Sequence, residues 1–434
     1  MEKNNIGKSI LKFRKENKMS QIELAKLIGV SNKSISQWET GYALPSINDV
    51  IKISNIFNVS IDKLLESENK INKEIFKIVL TGGPCSGKST ALNLIEQKFS
   101  KLGYFVMINS EVATDFIMGG IAPWTIDTTQ NYESYIIKMQ IEKEKIFEEA
   151  AKHITNYDKI LIVCDRGIPD CKAYMTNNEF ESVLTNLNTD EVTIRDSYDA
   201  VFHLVSAAIG AEKYYSNSTN SARYESLEEA RIQDKKTMSA WIGHPHLRVI
   251  DNSTDFDEKM KKLISEILSF LGEPCQYEIE RKYLIKKPDI NRLEKLDNCK
   301  KVEILQTYLS GDENSSVRVR QRGENGHYTY TKTTKIKISD IKRIENEIKI
   351  SKKEYLNLLL QADTTKHQIR KTRYLLMYKN QYFEIDIFPN FNDTALMEIE
   401  LRDENQIIEL PNFIEVINEV TSDPNYLNIN IAKN

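Results

Sequence analysis

From Tyr277 onward, charged residues of both signs recur at every second position, in segment after segment that otherwise reads as β-strand. Glu278, Glu280 and Lys282 share one face. So do Arg318, Arg320 and Arg322; Tyr330 and Lys332; Arg343, Glu345 and Glu347; Lys371 and Arg373; Glu384 and Asp386; and Glu398 and Glu400. Between them lie Ile279, Val317, Val319, Ile344, Ile385, Ile387, Ile399 and Leu401. Successive strand side chains point to opposite faces, so each segment joins a charged face to an apolar one. An antiparallel sheet with solvated charges satisfies this pattern. A closed barrel with a charged interior satisfies it too, with carboxylates for a divalent cation and basic side chains for a polyanion. Mixed signs at this density favour the barrel, because a solvated face has no need of an arginine-rich run set against paired glutamates.

The rest of the chain leaves room for more than this sheet. Its 434 residues are 40% hydrophobic and 28% charged, with a formal net charge of −4. That length suits two or three domains, each able to bury its own core. No apolar stretch approaches the ~18 residues that would cross a bilayer, and the polar Met-Glu-Lys-Asn-Asn start is unlike a signal peptide. Five cysteines, Cys85, Cys164, Cys171, Cys275 and Cys299, form no Cys-x-x-Cys pair. An odd set without such a pair reads as free thiols, and the expected location is cytoplasmic. Glu66–Lys73 is polar and aperiodic, as a linker is. A second boundary, Gly272–Gln276, follows an amphipathic helix over Phe256–Leu271. The expectation is a multidomain chain: an all-α head at 1–66, an α/β domain with a parallel sheet at 74–272, and an antiparallel β-barrel with helices at 276–434.

The head reads as five short helices. Ser20 caps Gln21–Ile28, with Glu23 placed for a capping box, and Gly29 makes the turn. Ser31 caps the next helix, where Ile35 and Trp38 face inward while Asn32, Lys33, Ser34 and Gln37 stay outside. Gly41 and Pro45 precede Ile47–Phe57, and Ile61–Leu65 closes the bundle. Ser20-Gln21, Leu24–Ser31, Ile35–Glu39, Gly41 and Pro45 together resemble the Cro/C1-type helix-turn-helix. That resemblance implies DNA as a partner, with Asn32, Lys33, Ser34 and Gln37 toward base edges and Gln21 and Lys33 near the backbone. The other reading is a bundle used for protein contact. The head is only weakly basic, so one copy alone binds DNA weakly, and a homodimer or the larger protein has to supply the rest.

The middle segment opens with Ile75–Leu80, a β-branched and aromatic run. Thr81-Gly82-Gly83-Pro-Cys-Ser-Gly87-Lys88-Ser89-Thr90 and an apolar-periodic helix follow. This is G-x-x-x-x-G-K-[ST] in the strand–loop–helix context that a P-loop requires. Gly82, Gly83 and Gly87 let backbone N–H groups wrap a phosphate at a helix N-terminus. Lys88 reaches toward the β- and γ-phosphates of ATP, the Ser89 hydroxyl suits Mg2+, and Thr90 follows in the first turn. Lys159–Cys164 is an apolar run ending in Asp165, either a Mg2+-associated carboxylate and base or a cap for the next helix. Arg223 and Arg231 lie two helical turns apart, suiting either a lid over phosphates or ion pairs with Glu225, Glu228 and Glu229. His244-Pro-His246 lacks a third ligand and reads as a turn. Asp165-Arg-Gly167, Pro169-Asp170 and Ser110–Thr114 resemble the nucleoside- and nucleotide-kinase branch of P-loop proteins, including kinase-like AAA ATPases. In that resemblance Glu111 meets a substrate hydroxyl.

The C-terminal segment resembles the CYTH domain of triphosphate tunnel metalloenzymes. Glu278-Ile-Glu-Arg-Lys-Tyr-Leu284 matches the opening ExExK signature. Gln306–Leu309, Val317–Arg320, Lys332, Arg343–Glu347, Lys371–Tyr374, Glu384–Phe388, Glu398–Leu401, Glu419–Thr421 and Tyr426–Asn428 follow in order. The resemblance implies that Glu278, Glu280, Glu398 and Glu400 hold Mg2+ or Mn2+ with Asp386 nearby. It places Lys282, Arg318, Arg320, Lys332, Arg343 and Arg373 along the phosphate path, with Lys371 beside them. Glu345 and Glu347 are left as supporting ion pairs or extra ligands. Tripolyphosphate, nucleoside triphosphate and thiamine triphosphate all remain as substrates. Two functions follow: a metal-dependent triphosphatase joined to an ATP-binding kinase-like domain and a DNA-binding head, or a transcriptional regulator that senses nucleotide or polyphosphate without turnover. Attack and metal-binding residues in both phosphate sites favour the enzyme.

Overall fold

The computed structural model describes residues 5–57, 59, 73–215, 226–273, 279–310, 315–337, 343–401 and 406–432. They fall into two compact units. One is Met1–Glu74 with Thr155–Lys159, and the other is Ile75–Ile154 with Ile160–Asn434.

In the head, helices span Asn5–Glu16, Gln21–Ile28, Asn32–Glu39 and Ile47–Phe57. The expected fifth helix, Ile61–Leu65, lies outside the described residues. Ser20 and Glu23 form the capping box reciprocally, and Gly29 ends the second helix at φ 85°. Ile10, Leu24, Ile35 and Ile53 are fully buried and pack with Phe13, Trp38 and Phe57 into one core. The Arg14 guanidinium forks onto Glu39, at 2.5 and 2.9 Å, tying the first helix to the third.

The second unit contains two sheets. The first is built from β1 (Glu74–Thr81), β2 (Tyr104–Asn109), β3 (Lys159–Asp165), β4 (Ala200–Leu204) and β5 (Leu247–Ile250), in the order β2-β3-β1-β4-β5. The β1–β4 and β4–β5 registers are parallel. Leu80, Leu161, Val163, Phe202 and Leu204 pack on one face against Ala91, Ile95 and Phe99 of the helix Lys88–Lys101 and Leu263 and Ile267 of the helix Phe256–Phe270. Val79, Ile160, Ile162 and Val201 pack on the other against Tyr198 and Trp241. Burial on both faces is why these strands read as unbroken apolar runs. β1 lies between β3 and β4, so the chain changes its direction of lateral travel there. Ligands of open α/β sheets bind at such a switch point, beyond the carboxyl ends of the strands.

The second sheet is antiparallel and has nine strands: β6 (Ile279–Lys286), β7 (Cys299–Leu309), β8 (Ser315–Glu324), β9 (His327–Lys337), β10 (Arg343–Lys349), β11 (Ile369–Tyr378), β12 (Gln381–Ile387), β13 (Thr394–Leu401) and β14 (Val416–Glu419). Their order is β10-β9-β8-β7-β11-β12-β13-β6-β14, with β10 and β14 at the two ends. One face of β6, β11, β12 and β13 presents Tyr283, Ile285, Tyr374, Leu376, Phe383, Ile385, Met397 and Ile399 to an apolar core closed by Leu293 and Ile414. The alternate residues of the same strands carry the charges.

Register corrects one placement. Lys332 pairs with Val319 on β8 and with Ile348 on β10. It therefore shares the face of Val319, away from Arg318 and Arg320, whose cross-strand partners are Thr333 and Thr331. The alternation within β9 is real, but which of its faces meets the arginines is decided by pairing. A shift of one residue exchanges the two faces.

Candidate functional sites

The first site lies at the switch point. Gly82 adopts φ 145°, and a Cβ there would stand 2.1 Å from the Leu204 carbonyl oxygen, so only glycine fits. Gly83 N donates to Asp234 Oδ1 at 2.8 Å, Ser206 Oγ to the Pro84 carbonyl at 2.5 Å, and Lys259 Nζ to the Ser86 carbonyl at 3.0 Å. These bonds hold the loop open between β1 and the helix Lys88–Lys101. Gly87 is the N-cap of that helix at φ 94° and provides no side-chain cap, leaving the first N–H groups to an anion. Ser89 and Thr90 are exposed in its first turn.

Lys88 Nζ donates to the Gly82 carbonyl at 3.3 Å, and among the described residues no carboxylate forms an ion pair with it. Burial pushes this ammonium down to about 8; Arg166 adds to the shift and Asp165, Glu111 and Asp170 oppose it. Asp165 ends β3. Burial raises its carboxyl pKa, although Lys88 pulls the other way, and its Oδ1 is buried without a hydrogen-bond partner. A half-buried, under-neutralised lysine beside an orphaned carboxylate oxygen suits a phosphate with its cation. Arg166 donates from Nε to Glu111 Oε1 at 2.5 Å and from Nη1 to the Gly82 carbonyl at 3.3 Å. Asp170 accepts from Thr81 Oγ1 and Trp241 Nε1, both at 2.6 Å. Asp234 and Lys259 carried no signal in the sequence, since both sit on helices whose charges read as solvent-facing.

Arg231 points elsewhere. It donates to the Ala208 carbonyl at 2.8 Å, to Glu212 at 3.1 Å and to Glu228 at 3.4 Å, so it is engaged in surface pairing. Arg223 lies outside the described residues. His244 and His246 form the expected turn: His246 N donates to His244 Nδ1 at 3.0 Å.

The second site is the charged face of the antiparallel sheet. Glu400 stands directly opposite Glu280, and Glu398 is flanked by Lys282 on one side and Glu384 on the other. Lys282 Nζ lies 2.9 Å from Glu398 and 3.9 Å from Glu280. Burial acts to lower this ammonium's pKa, but the two glutamates outweigh it and the net shift is upward. Asp386 is fully buried and accepts from Lys371 at 2.5 Å and from Arg373 at 2.6 and 2.7 Å. Arg373 also donates to Glu384, and to Glu398 at 3.4 Å. With both oxygens taken, Asp386 holds Lys371 and Arg373 in place beside Glu384 and Glu398.

Two glutamate pairs in directly opposed strand positions repel unless a cation lies between them. Burial raises the Glu384 carboxyl pKa; Arg373 opposes the shift, and Glu398, Asp386 and Glu400 reinforce it. An all-oxygen, net-acidic set of this kind suits a hard divalent cation. The carboxylates are turned to their basic neighbours, and among the described residues no three of them converge as a ready ligand set. Glu278, which would extend this set, lies outside the described residues.

The basic part of the face is on β8. Burial and the neighbouring Arg318 lower the Arg320 pKa; Glu347, 3.8 Å away, opposes them, and Arg320 Nε is buried without a hydrogen bond. Glu347 accepts from Thr333 at 2.6 Å and is held at about 2: burial acts to raise it, and Arg320 and Thr333 outweigh that. Positions 343 and 345 pair with 337 and 335; the side chains of Arg343 and Glu345 lie outside the described residues. Arg322 continues the arginine alternation but is used for docking. It donates to Asp196 at 2.8 Å and to the Gly243 carbonyl, both from the parallel-sheet region.

Arg322 belongs to a row of such contacts. Tyr382 Oη accepts from Gly243 N at 2.9 Å and donates to the His244 carbonyl at 3.1 Å. Thr329 donates to Asp196 at 3.2 Å, and Lys349 to the Ser197 and Tyr198 carbonyls, both at 2.9 Å. Arg248 of β5 pairs with Glu400. Met377 and Tyr382 join the core that holds Trp241. The two sheets thus form one body, and one end of the charged face abuts the amino ends of β4 and β5.

In the head, Ser31 caps the third helix and its hydroxyl also meets the Ser34 hydroxyl at 2.8 Å. Asn32 and Lys33 are exposed, and Ser34 and Gln37 half-buried. Gln21 Nε2 donates to Glu39 at 2.8 Å, which fixes its side chain against the third helix. Among the described residues, no helix is long and apolar enough to cross a membrane.

Three family models match this chain: a helix-turn-helix at residues 10–64, an AAA domain at 77–259 and a CYTH domain at 276–425. An inorganic triphosphatase of Acetivibrio thermocellus is 35% identical over 158 residues, covering 36% of this chain and 94% of that protein. The helix-turn-helix-type transcriptional regulator YqaE of Bacillus subtilis is 33% identical over 71 residues, covering 16% of this chain and 60% of its own length. A solved structure of the inorganic triphosphatase NE1496 is 28% identical, covering 36% of this chain and 95% of that one, with a TM-score of 0.27. The chain belongs to the CYTH family through its C-terminal region, and matches models of an AAA domain and a helix-turn-helix ahead of it.

Proposed function

We propose that the region 276–434 hydrolyses a linear triphosphate, that the region 74–272 binds ATP, and that the head at 1–66 binds DNA. The observation that carries the first assignment is the division of one sheet face into a net-acidic part on β6, β12 and β13 and an arginine part on β8, with Arg373 between them. In this reading the nine strands curl around that face to form the tunnel. A triphosphate carries about four negative charges, and its cleavage needs fixed positive charge against the developing phosphoryl charge. Arg318 and Arg320, with Arg343, take the phosphate oxygens, while Lys282 and Arg373 bridge toward the acids. Glu280, Glu398 and Glu400, with Glu278, hold Mg2+ or Mn2+, which supplies Lewis-acid polarisation of a phosphoryl oxygen when bound. A carboxylate orients water for attack on the terminal phosphorus, and diphosphate leaves. The inorganic triphosphatase relative favours tripolyphosphate among the candidate substrates. A pure sensor has no need of this attack machinery.

The test is phosphate release from tripolyphosphate, ATP and thiamine triphosphate with Mg2+ or Mn2+, comparing the protein with Glu280→Ala. Metal-dependent turnover of tripolyphosphate, lost in the variant, is the expected result. Tight binding of all three without turnover would leave a ligand-sensing regulator instead.

At the P-loop, Lys88 takes the phosphates and Ser89 the accompanying cation. A phosphate beside Lys88 favours its charged form and lifts its pKa from about 8. Binding is then accompanied by proton uptake above that value, and ATP affinity falls as pH rises through and beyond it. Calorimetry at pH 8.5 in buffers of different ionisation enthalpy checks this; a proton-independent heat would contradict the assignment of Lys88. In the head, Asn32, Lys33, Ser34 and Gln37 meet base edges.

A further inference from the structure

Arg248 carries a charged contact from the AAA region to the acidic end of the CYTH face. It lies on β5, follows His244-Pro-His246, and forms an ion pair with Glu400 through Nη2. Its Nε faces a second carboxylate, Glu266 of the helix Phe256–Phe270, at 3.7 Å. Glu400 in turn is the residue opposite Glu280 in the β13–β6 ladder. Burial acts to raise the Glu400 carboxyl pKa, but Arg248 and His246 outweigh it and the net shift is downward.

These positions set up a competition. Glu280 and Glu400 are like charges in opposed positions, and a cation has to offset their repulsion. The guanidinium of Arg248 serves for Glu400, and a divalent cation between the same carboxylates would serve in its place. Both cannot occupy the Glu400 oxygens at full strength. The arginine is not stranded when it leaves, because Glu266 is already within ion-pair distance. The pair can also be exchanged from solution: the Arg248 side chain is 28% and that of Glu400 41% exposed.

We propose that Arg248 is the resident counter-ion of Glu400, displaced toward Glu266 when the divalent cation binds, so that the AAA region sets the metal affinity of the CYTH site. The inference rests on the assignment of Glu280 and Glu400 as metal ligands. Arg248 is a positioning residue here: it acts through Glu400 and touches no reacting atom. Its part in the fold and its part in metal loading are separable, since only the second moves with the charge at position 248.

The experiment is Mn2+ binding to the full-length protein without substrate, followed by paramagnetic resonance of the free ion. Arg248→Gln removes the charge and keeps a hydrogen-bond donor for Glu266; it should bind Mn2+ about twofold to fivefold more tightly, the weight of one partly exposed ion pair. Arg248→Lys should stay near the parent protein. Glu400→Gln should weaken binding and cancel the gain in the double variant. Thermal unfolding of each variant shows whether it is folded, and Arg248→Met, which also removes the charge while keeping the apolar stem, takes the place of Arg248→Gln if that variant is not. Equal Mn2+ affinity of the parent protein and folded Arg248→Gln overturns the inference while leaving the metal site standing. No Mn2+ binding by either overturns the metal assignment itself, and the inference with it.

Discussion

Lys88→Ala is expected to reduce ATP affinity by about 100-fold, the weight of charge-assisted hydrogen bonds from a half-buried ammonium to phosphate. It should leave tripolyphosphate hydrolysis within about twofold, because the loop stands at the carboxyl ends of β1 and β3 while the charged face meets the amino ends of β4 and β5. Stability should not fall. Lys88 is half-buried with its pKa down to about 8, so the folded protein bears a cost for it until phosphate arrives. Calorimetry with ATP and a phosphate-release assay on the same preparation check both halves. Loss of the two activities together would mean the sites are not separate.

Two arginines of the charged face should part company when each is replaced by alanine. Arg320→Ala is expected to lower triphosphate turnover by about 100-fold or more, the scale for removing one preorganised charge from a transition-state site. Its effect on stability should be small, within about 1 kcal/mol, because Arg320 sits beside Arg318 with a distant ion pair and an unsatisfied Nε. Arg373→Ala should cost both activity and about 3–5 kcal/mol of stability, since it strips the shared partner from Asp386, Glu384 and Glu398 in a buried setting. Urea unfolding alongside initial rates separates the two outcomes. Equal destabilisation by both substitutions would mean that Arg320 is a structural ion pair rather than a phosphate ligand.

The parts of the fold that were legible in the sequence are those set by local chemistry. Ser20 with Glu23, Ser31 and Gly29 mark helix ends because capping is settled within a few residues. The phosphate loop was equally legible: Gly82 and Gly87 adopt backbone angles that side chains disfavour, and Lys88 follows at the helix start. Along β6, β12 and β13 the alternation separated charged from apolar residues, since period two is a property of the strand itself.

What escaped the sequence was settled by pairing and packing. Lys332 has the right alternation within β9, yet register turns it toward Val319, because a strand does not carry information about which face its neighbour presents. Arg322 extends the run of Arg318 and Arg320 by one more alternate position and is nonetheless bound to Asp196 and Gly243. That Lys371 and Arg373 both turn to Asp386 was likewise set by the pairing of neighbouring strands. Asp234 and Lys259, which shape the phosphate loop, come from helices far along the chain, and nothing local distinguishes them from surface charges.

By itself, then, the sequence determined the element types, the phosphate loop and the alternation of charged and apolar residues, because propensity, capping and periodicity act over neighbouring residues. Only the tertiary structure decided which charges are spent on one another. Arg248 meeting Glu400, Arg322 meeting Asp196 and Tyr382 meeting Gly243 join segments more than a hundred residues apart. Electrostatic and hydrogen-bond partners depend on distance in space, and that distance is set by how the two sheets pack.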